Sequence, residues 1–284
     1  MTTLSILIPA YEYPEGVARI LDSVHRAKCA QLECLVADDS ISDGVERVVK
    51  QHDLYLQGAL VFIKNSPSLG AIRNWNMLMQ RASGEYILFL HHDECPIQSD
   101  FFGRLLALLE CAPDALILDC SIASGLIMRR HFPSLAKGFL LRHMPEYLLR
   151  RNFIGAPSVL VVRRDKSLLF DTRLPRLVDV DWYVRLFQQP AFFAAVESSI
   201  GVLSTPYSRS ITSAFGSRIS SMARKESALL ITEHPAWWPL KLNIRVTTSD
   251  KILAAVETMV WGIFKISYRA ISNVLAPKIP RHLR

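Results

Sequence analysis

Gly84-Glu85-Tyr86-Ile87-Leu88-Phe89-Leu90-His91-His92-Asp93-Glu94 holds an apolar run too short for a typical helix, with turn chemistry at both ends. Residues 86–90 therefore read as a buried central strand. Two imidazoles and two carboxylates follow within four residues. In an open α/β sheet, ligands bind beyond the carboxyl ends of the strands, so this polar cluster stands where chemistry is expected. The alternative is a solvated acidic turn, and the surrounding sequence has to separate the two.

Working back from residue 84, the pattern repeats. Leu4-Ser5-Ile6-Leu7-Ile8-Pro9 predicts a strand, and residues 15–26 carry helical spacing through Val17, Ile20, Leu21 and Val24. Glu33-Cys34-Leu35-Val36-Ala37 is a second strand running into Asp38-Asp39-Ser40, followed by a helix over 43–52. Leu60-Val61-Phe62-Ile63 is a third strand, Ser68-Leu69-Gly70 a turn, and 71–81 a helix. Strand and helix alternating over short connections predict an α/β fold with a mostly parallel sheet flanked by helices. Parallel strands end on one edge, so Asp38-Asp39 and Asp93-Glu94 are expected to face one crevice, where carboxylates can hold a divalent cation and the cation a diphosphate. No GxGxxG follows the first strand and no GxxxxGK[ST] occurs, so neither a dinucleotide site nor a P-loop is supported.

The totals agree with a folded enzyme-sized chain. Of 284 residues, 50% are hydrophobic and 21% charged, which predicts a sizeable core. Cys29, Cys34, Cys95, Cys111 and Cys120 form no CxxC pair, and their odd number fits reduced thiols of a cytoplasmic protein. The first residues show no basic leader, and no run of about 18 uncharged apolar residues suggests a spanning helix. The net charge of +7 is local: residues 241–284 carry +6 and residues 129–151 carry +5. Such patches suit phosphate-rich ligands or an anionic membrane surface, and no DNA- or RNA-binding module is recognisable.

Four motifs, Ser5-Ile-Leu-Ile-Pro-Ala-Tyr11, Cys34-Leu-Val-Ala-Asp-Asp-Ser40, Leu69-Gly-Ala-Ile-Arg-Asn74 and the stretch 84–94, resemble in order and spacing the motif set of glycosyltransferase family 2. The resemblance implies a GT-A type, Rossmann-like fold and an inverting transferase that uses nucleotide-diphosphate sugars. It places Pro9, Ala10, Tyr11 and Glu12 in the loop on the nucleotide base, Asp38 and Asp39 at the base or ribose, and Arg73 and His92 at the nucleotide. It aligns His91-His92-Asp93 with the family's Asp-x-Asp metal motif. Here the first carboxylate is replaced by His91, so Asp93 is the principal expected ligand of Mn²⁺ or Mg²⁺ and His91 either a ligand or a phosphate donor. Plain alternatives stand beside these: Asp38 capping its own turn, Arg73 on the surface, Tyr11 packing.

The second half is less regular. Residues 99–110 predict a helix, 115–120 a strand, 138–151 a helix around Met144-Pro145, and 159–162 a strand after the loop Asn152-Phe153-Ile154-Gly155-Ala156-Pro157-Ser158. Asp179-Val180-Asp181 resembles the family's second acidic region. Asp179 then takes the position of the catalytic base, while Asp181 starts a helix continuing to Arg185; the alternative is two helix-N-terminal acids. Tyr207-Ser208-Arg209-Ser210 and Arg218 are candidates for a closing loop. Residues 252–275 keep helical spacing with a basic end, which fits a helix lying on a membrane or, alternatively, a core helix or oligomer contact. The expected division is a transferase domain over 1–240, its nucleotide-sugar half at 1–98 and acceptor half at 99–240, with a basic amphipathic tail over 241–284. The expected activity is transfer of a sugar to a glycan or lipid-diphosphate-linked acceptor in bacterial surface-polysaccharide synthesis; a non-catalytic nucleotide-sugar-binding scaffold is the alternative.

Overall fold

A computed structural model describes residues 3–124, 127–130, 132, 134–143, 145–149, 152–205, 225–226 and 228–230. The expected amphipathic tail and the closing loop at 207–218 lie outside them.

The first half follows the predicted alternation closely. β1 (Leu4–Ala10), α1 (Pro14–Ala27), β2 (Leu32–Asp38), α2 (Gly44–Gln51), a short α3 (Asp53–Leu56), β3 (Leu60–Lys64), α4 (Ala71–Arg81) and β4 (Tyr86–Phe89) succeed one another. β1 lies parallel to both β2 and β4, and β2 parallel to β3. All seven β1 residues and all four of β4 are buried, as expected for strands covered on both faces. The chain moves outward from β1 through β2 to β3, then returns to place β4 on the other side of β1. That reversal opens a crevice beyond the carboxyl ends of β1, β2 and β4.

The second half departs from parallel geometry. β5 (Glu94–Pro96), α5 (Phe101–Leu109), β6 (Ala115–Ser124), β7 (Ile127–Arg130), α6 (Ser134–His143), β8 (Leu160–Arg163), α7 (Val178–Phe187) and β9 (Ala194–Ser204) complete the described elements. β8 runs antiparallel to β4 and to β6, β5 antiparallel to β9, and β6 parallel to β9. Among the described residues the nine-stranded sheet is thus a parallel half, β1 to β4, joined through β8 to a mixed half.

Two helices differ from expectation. The helix expected over 138–151 is α6, ending at His143, followed by a 3₁₀ turn Pro145–Leu149. A proline lacks the N–H needed to continue an α-helix and turns the preceding residue away from helical backbone. α7 begins at Val178, not at Asp181, so both acids sit in its first turn. Glu226, distant in sequence, supplies the start signal: its carboxylate accepts from the backbone N–H groups of Arg176 (3.1 Å) and Leu177 (2.7 Å).

One glycine fixes the approach of α1 to the 91–93 turn. A Cβ at Gly16 would stand 1.8 Å from the His92 carbonyl oxygen, so only glycine lets the helix backbone come this close.

Candidate functional site

Asp38 ends β2 fully buried. Its Oδ1 accepts from Ser40 N–H (2.9 Å) and its Oδ2 from Lys64 Nζ (2.8 Å), so the local cap weighed for it is present together with an ion pair. Asp39 is 4% exposed and accepts four hydrogen bonds. Asn65 Nδ2 (2.9 Å) and Leu69 N–H (2.7 Å) reach Oδ1; Ser68 Oγ (2.6 Å) and Gly70 N–H (2.9 Å) reach Oδ2. Four bonds fill the acceptor positions of a carboxylate. Asp39 therefore shapes the 65–70 loop leading into α4, and in this arrangement has no lone pair left for a base or ribose.

The loop after β1 is built around the same strand ends. Ala10 O accepts from Asp39 N–H (3.0 Å), and Pro9 O lies 3.4 Å from His92 Nδ1. Glu12, at φ 49°, accepts from Ile41 N–H (2.7 Å), Ser42 N–H (2.9 Å) and Ser42 Oγ (2.6 Å), stapling the 11–13 and 40–42 loops together. Tyr11 is 40% exposed beside that staple, with its ring available to a ligand. Arg73, in the first turn of α4, is exposed and lines a cavity of about 210 Å³ with Leu69, Gly70, Ala71, Ile72, Thr172 and Pro175.

Beyond β4 the acidic corner is tightly organised. His91 Nδ1 lies 3.1 Å from Glu94 Oε2 and 3.1 Å from Ser158 Oγ, and Ser158 also donates a short hydrogen bond to Glu94. A carboxylate only accepts, so Nδ1 carries the proton toward Glu94 and leaves Nε2 as the remaining imidazole nitrogen. Nε2 is buried without a hydrogen-bond partner among the described residues. The ring packs on Trp75 (4.9 Å) and stacks with Phe89 (6.1 Å between centroids). Burial alone would lower the His91 pKa, but the hydrogen bond and charge of Glu94, with the charges of Asp93 and Asp179, outweigh it and raise it. His92 is driven the other way, to about 4, by burial and then by His91. Burial, and next the Glu94 charge, push Asp93 up to about 6.

Asp179 is partly buried, and desolvation of its carboxyl pushes the pKa up to about 6, against the opposing pull of the Val180 and own-residue N–H groups, Asn152 and the His91 charge. Its Oδ1 accepts from Val180 N–H (2.9 Å) and its Oδ2 from Asn152 Nδ2 (2.7 Å). Each of His91 and Asp179 shifts the other's proton affinity, so the α7 terminus and the 91–94 turn face one space. Asp181 does not join them: it is 2% exposed and held by Arg185 Nε (2.8 Å) and Nη2 (2.6 Å) one turn along α7.

Several participants were absent from the sequence-derived set. Lys64, Asn65 and Ser68 follow β3 and bind the Asp38-Asp39 pair. Ser158 and Asn152 belong to a loop visible in the sequence, but nothing local in it points to Glu94 or Asp179. Arg19 stands over the Tyr13 ring at 5.7 Å, and its charge pulls the Asp93 pKa down.

The parallel half-sheet brings the acidic ends of β2 and β4 to one edge of the fold. The profile of glycosyl transferase family 2 matches residues 5–159, over half of the chain. The chain belongs to that family. It is 24% identical over 200 residues to an uncharacterized glycosyltransferase of Haemophilus influenzae, covering 66% of this chain and 63% of that one. The chain thus spans less than two thirds of that relative's length. It is 27% identical over 94 residues to the GalNAc(5)-diNAcBac-PP-undecaprenol beta-1,3-glucosyltransferase of Campylobacter jejuni, covering 33% and 30% of the two chains. Its fold is similar to that of the mannosyltransferase PcManGT from Pyrobaculum calidifontis, solved with GDP-Man and Mn²⁺: TM-score 0.59, 14% identity, 95% of this chain and 83% of that one. The GT-A type α/β fold expected from the motifs is the fold observed.

Proposed function

We propose that this protein is an inverting glycosyltransferase that moves a sugar from a nucleotide-diphosphate donor to a hydroxyl of a glycan or lipid-linked glycan. The observation that carries the reading is that one short segment, 152–158, hydrogen-bonds Asp179 at one end and the His91–Glu94 corner at the other, in a family 2 chain. The acceptor class draws support from the Campylobacter relative, whose name gives a lipid-linked glycan acceptor. The setting proposed is bacterial surface-polysaccharide synthesis at the cytoplasmic face of the membrane. The sequence's basic tail supports peripheral contact with anionic lipid. Among the described residues no helix is long and apolar enough to cross a membrane.

The donor set suits a divalent cation with few protein ligands. Among the described residues no cluster of three His, Cys, Asp or Glu is arranged to hold a metal. Asp93 offers a carboxylate that takes no bond from another described residue, and His91 offers the orphaned Nε2 with its Nδ1 already tied to Glu94. A histidine oriented through its other nitrogen by a carboxylate is a recurrent metal-ligand arrangement. Asp93 and His91 would hold Mn²⁺ in preference to Mg²⁺, with oxygens of the donor completing the shell. When bound, the ion supplies positive charge that stabilises the departing diphosphate.

The protein's own groups do the rest. The 9–12 loop and Arg73 bind the nucleotide, Tyr11 by its exposed ring and Arg73 by its fixed charge. Asp38 and Asp39 hold those loops in shape through Lys64 and the 65–70 segment. Asp179 takes the proton of the acceptor hydroxyl as general base, and a base raised to about 6 is still mostly ionised at neutral pH while being a stronger acceptor than an ordinary aspartate. The hydroxyl oxygen bonds to the anomeric carbon from the face opposite the diphosphate, whose bond to that carbon breaks, so configuration inverts. Asp181 steadies the α7 turn through Arg185.

Thermal unfolding with a panel of UDP- and GDP-sugars, with and without Mn²⁺, tests the binding half of this reading. At one hundred times Kd a ligand stabilises the folded state by about 2.7 kcal/mol. A metal-dependent shift with some member of the panel is the expected result; no shift with any donor, with or without metal, contradicts it. Replacement of the family's first carboxylate by His91 favours one second reading, a nucleotide-sugar-binding scaffold, which would show the shift without turnover.

A further inference from the structure

Residues 152–158 join β8 to the preceding chain, and the reaction proposed above leaves them unused. Phe153 and Ile154 anchor the segment, both fully buried. At one end, Asn152 Oδ1 accepts from Ile154 N–H (3.1 Å) and Gly155 N–H (2.9 Å), which fixes the plane of its amide. The Nδ2 of the same amide donates to Gly155 O (2.8 Å) and to Asp179 Oδ2 (2.7 Å). Gly155 stands at φ 120°, a conformation that disfavours side chains, and a Cβ there would approach Cys120 Sγ to 3.3 Å. The buried Tyr183 hydroxyl, one turn beyond Asp179, donates to the same Gly155 carbonyl at 3.1 Å. At the other end, the fully buried Ser158 holds Glu94 and His91. One core-anchored segment thus grips the base and the acidic corner together.

We infer that Asn152 is the positioning residue of Asp179: its locked amide fixes the carboxylate's orientation and leaves the opposite lone pairs for the acceptor hydroxyl. The inference rests on the reading of Asp179 as the base. An asparagine in this place has a property a carboxylate lacks, since it offers a donor to Asp179 while its oxygen satisfies the loop. Asn152→Asp keeps the oxygen for Ile154 and Gly155 but sets a like charge against Asp179. Asn152→Ala removes the donor without adding charge. Among the described residues, the titratable groups that interact electrostatically with Asp179 are His91 and Tyr183, and Tyr183 also feels Glu94 and Cys120; all remain in both variants.

Two readouts on the full-length protein test this. The first is the ¹³Cγ titration of Asp179, assigned by its loss in Asp179→Asn, which needs no substrate. The second is the pH profile of transfer, with affinity for UDP and GDP as the binding control. Asn152→Asp should raise the Asp179 midpoint by at least about one unit and lower transfer at pH 7 by about twofold for a one-unit shift or about tenfold for a two-unit shift, with recovery toward alkaline pH and unchanged nucleotide affinity. Asn152→Ala should raise the midpoint by less, and it serves where the charged variant does not fold. The discriminating variant is Asn152→Ala, which adds no charge: a residue that only braces the loop predicts the wild-type Asp179 midpoint and wild-type transfer profile in Asn152→Ala, with any loss confined to folding stability. That outcome, with Asp179→Asn inactive, overturns the role of Asn152 and leaves the base intact. Should Asp179→Asn transfer at the wild-type rate, the base assignment fails, and with it Asn152 as a positioning residue for transfer.

Discussion

His91 Nδ1 and Glu94 Oε2 lie 3.1 Å apart, with Ser158 bonded to both, so the histidine standing where the family has a carboxylate is itself held by a buried carboxylate one turn further on. Glu94 is 4% exposed and Ser158 fully buried. The imidazole is therefore oriented, with Nε2 as the nitrogen left over.

Glu94→Gln should loosen that orientation. The glutamine accepts from Nδ1 less strongly and removes the charge that raises the His91 pKa, so the histidine becomes neutral at lower pH. Mn²⁺ affinity in the presence of UDP or GDP, read by electron paramagnetic resonance of the free ion, should fall about tenfold or more. Equal affinity in the variant removes Glu94 from any part in metal holding.

His91→Asp places a second carboxylate two residues before Asp93. Selectivity should move from Mn²⁺ toward Mg²⁺, because an oxygen ligand replaces a nitrogen. Competition between the two ions during nucleotide titration measures it. An unchanged preference means that position 91 does not touch the ion.

Asp39→Ala leaves Asn65, Ser68, Leu69 and Gly70 without their shared acceptor. The expected loss is about 3 kcal/mol of folding stability, of the size measured when one partner of a buried charged network is removed. Nucleotide affinity should fall with it, since the loop leads into the α4 turn carrying Arg73. Urea unfolding and nucleotide titration check the two parts; a variant of wild-type stability contradicts the structural role given to Asp39.

Asp179 carries a pH signature of stability. Its folded-state pKa of about 6 stands above the unfolded value of about 4, so the native state binds more protons between those values. Its contribution to stability is present below pH 4 and is lost as pH rises through 6. Asp179→Asn should therefore raise the melting temperature at pH 7 to 8 and have little effect at pH 4. The same loss of stability in the variant at every pH would refute a carboxyl strained by burial.

The fold was legible where period and turn chemistry agree. Residues 71–81 show helical spacing after a Gly turn, and α4 occupies those residues. Residues 86–90 were read as a strand from their apolar run, and β4 is buried throughout. The pairings of β5, β8 and β9 were not legible, because short apolar runs carry no information on direction. At the site, residue types with intrinsic chemistry could be picked out, but their partners could not. Asn152 to Asp179, Ser158 to Glu94 and Glu226 to the start of α7 are contacts across 27, 64 and 49 residues that only the tertiary fold creates. Asp181 shows the converse: a carboxylate in the expected pattern is taken by Arg185 on the next turn of its own helix.

The most direct measurement is single-turnover transfer by wild type and Asp179→Asn with the donor found by thermal shift and a polyprenyl-diphosphate-linked saccharide acceptor. The expected result is an inverted product from wild type, unchanged donor affinity in Asp179→Asn, and transfer slower by about 10²- to 10⁴-fold. Transfer by Asp179→Asn at the wild-type rate, or a product of retained configuration, would contradict the account.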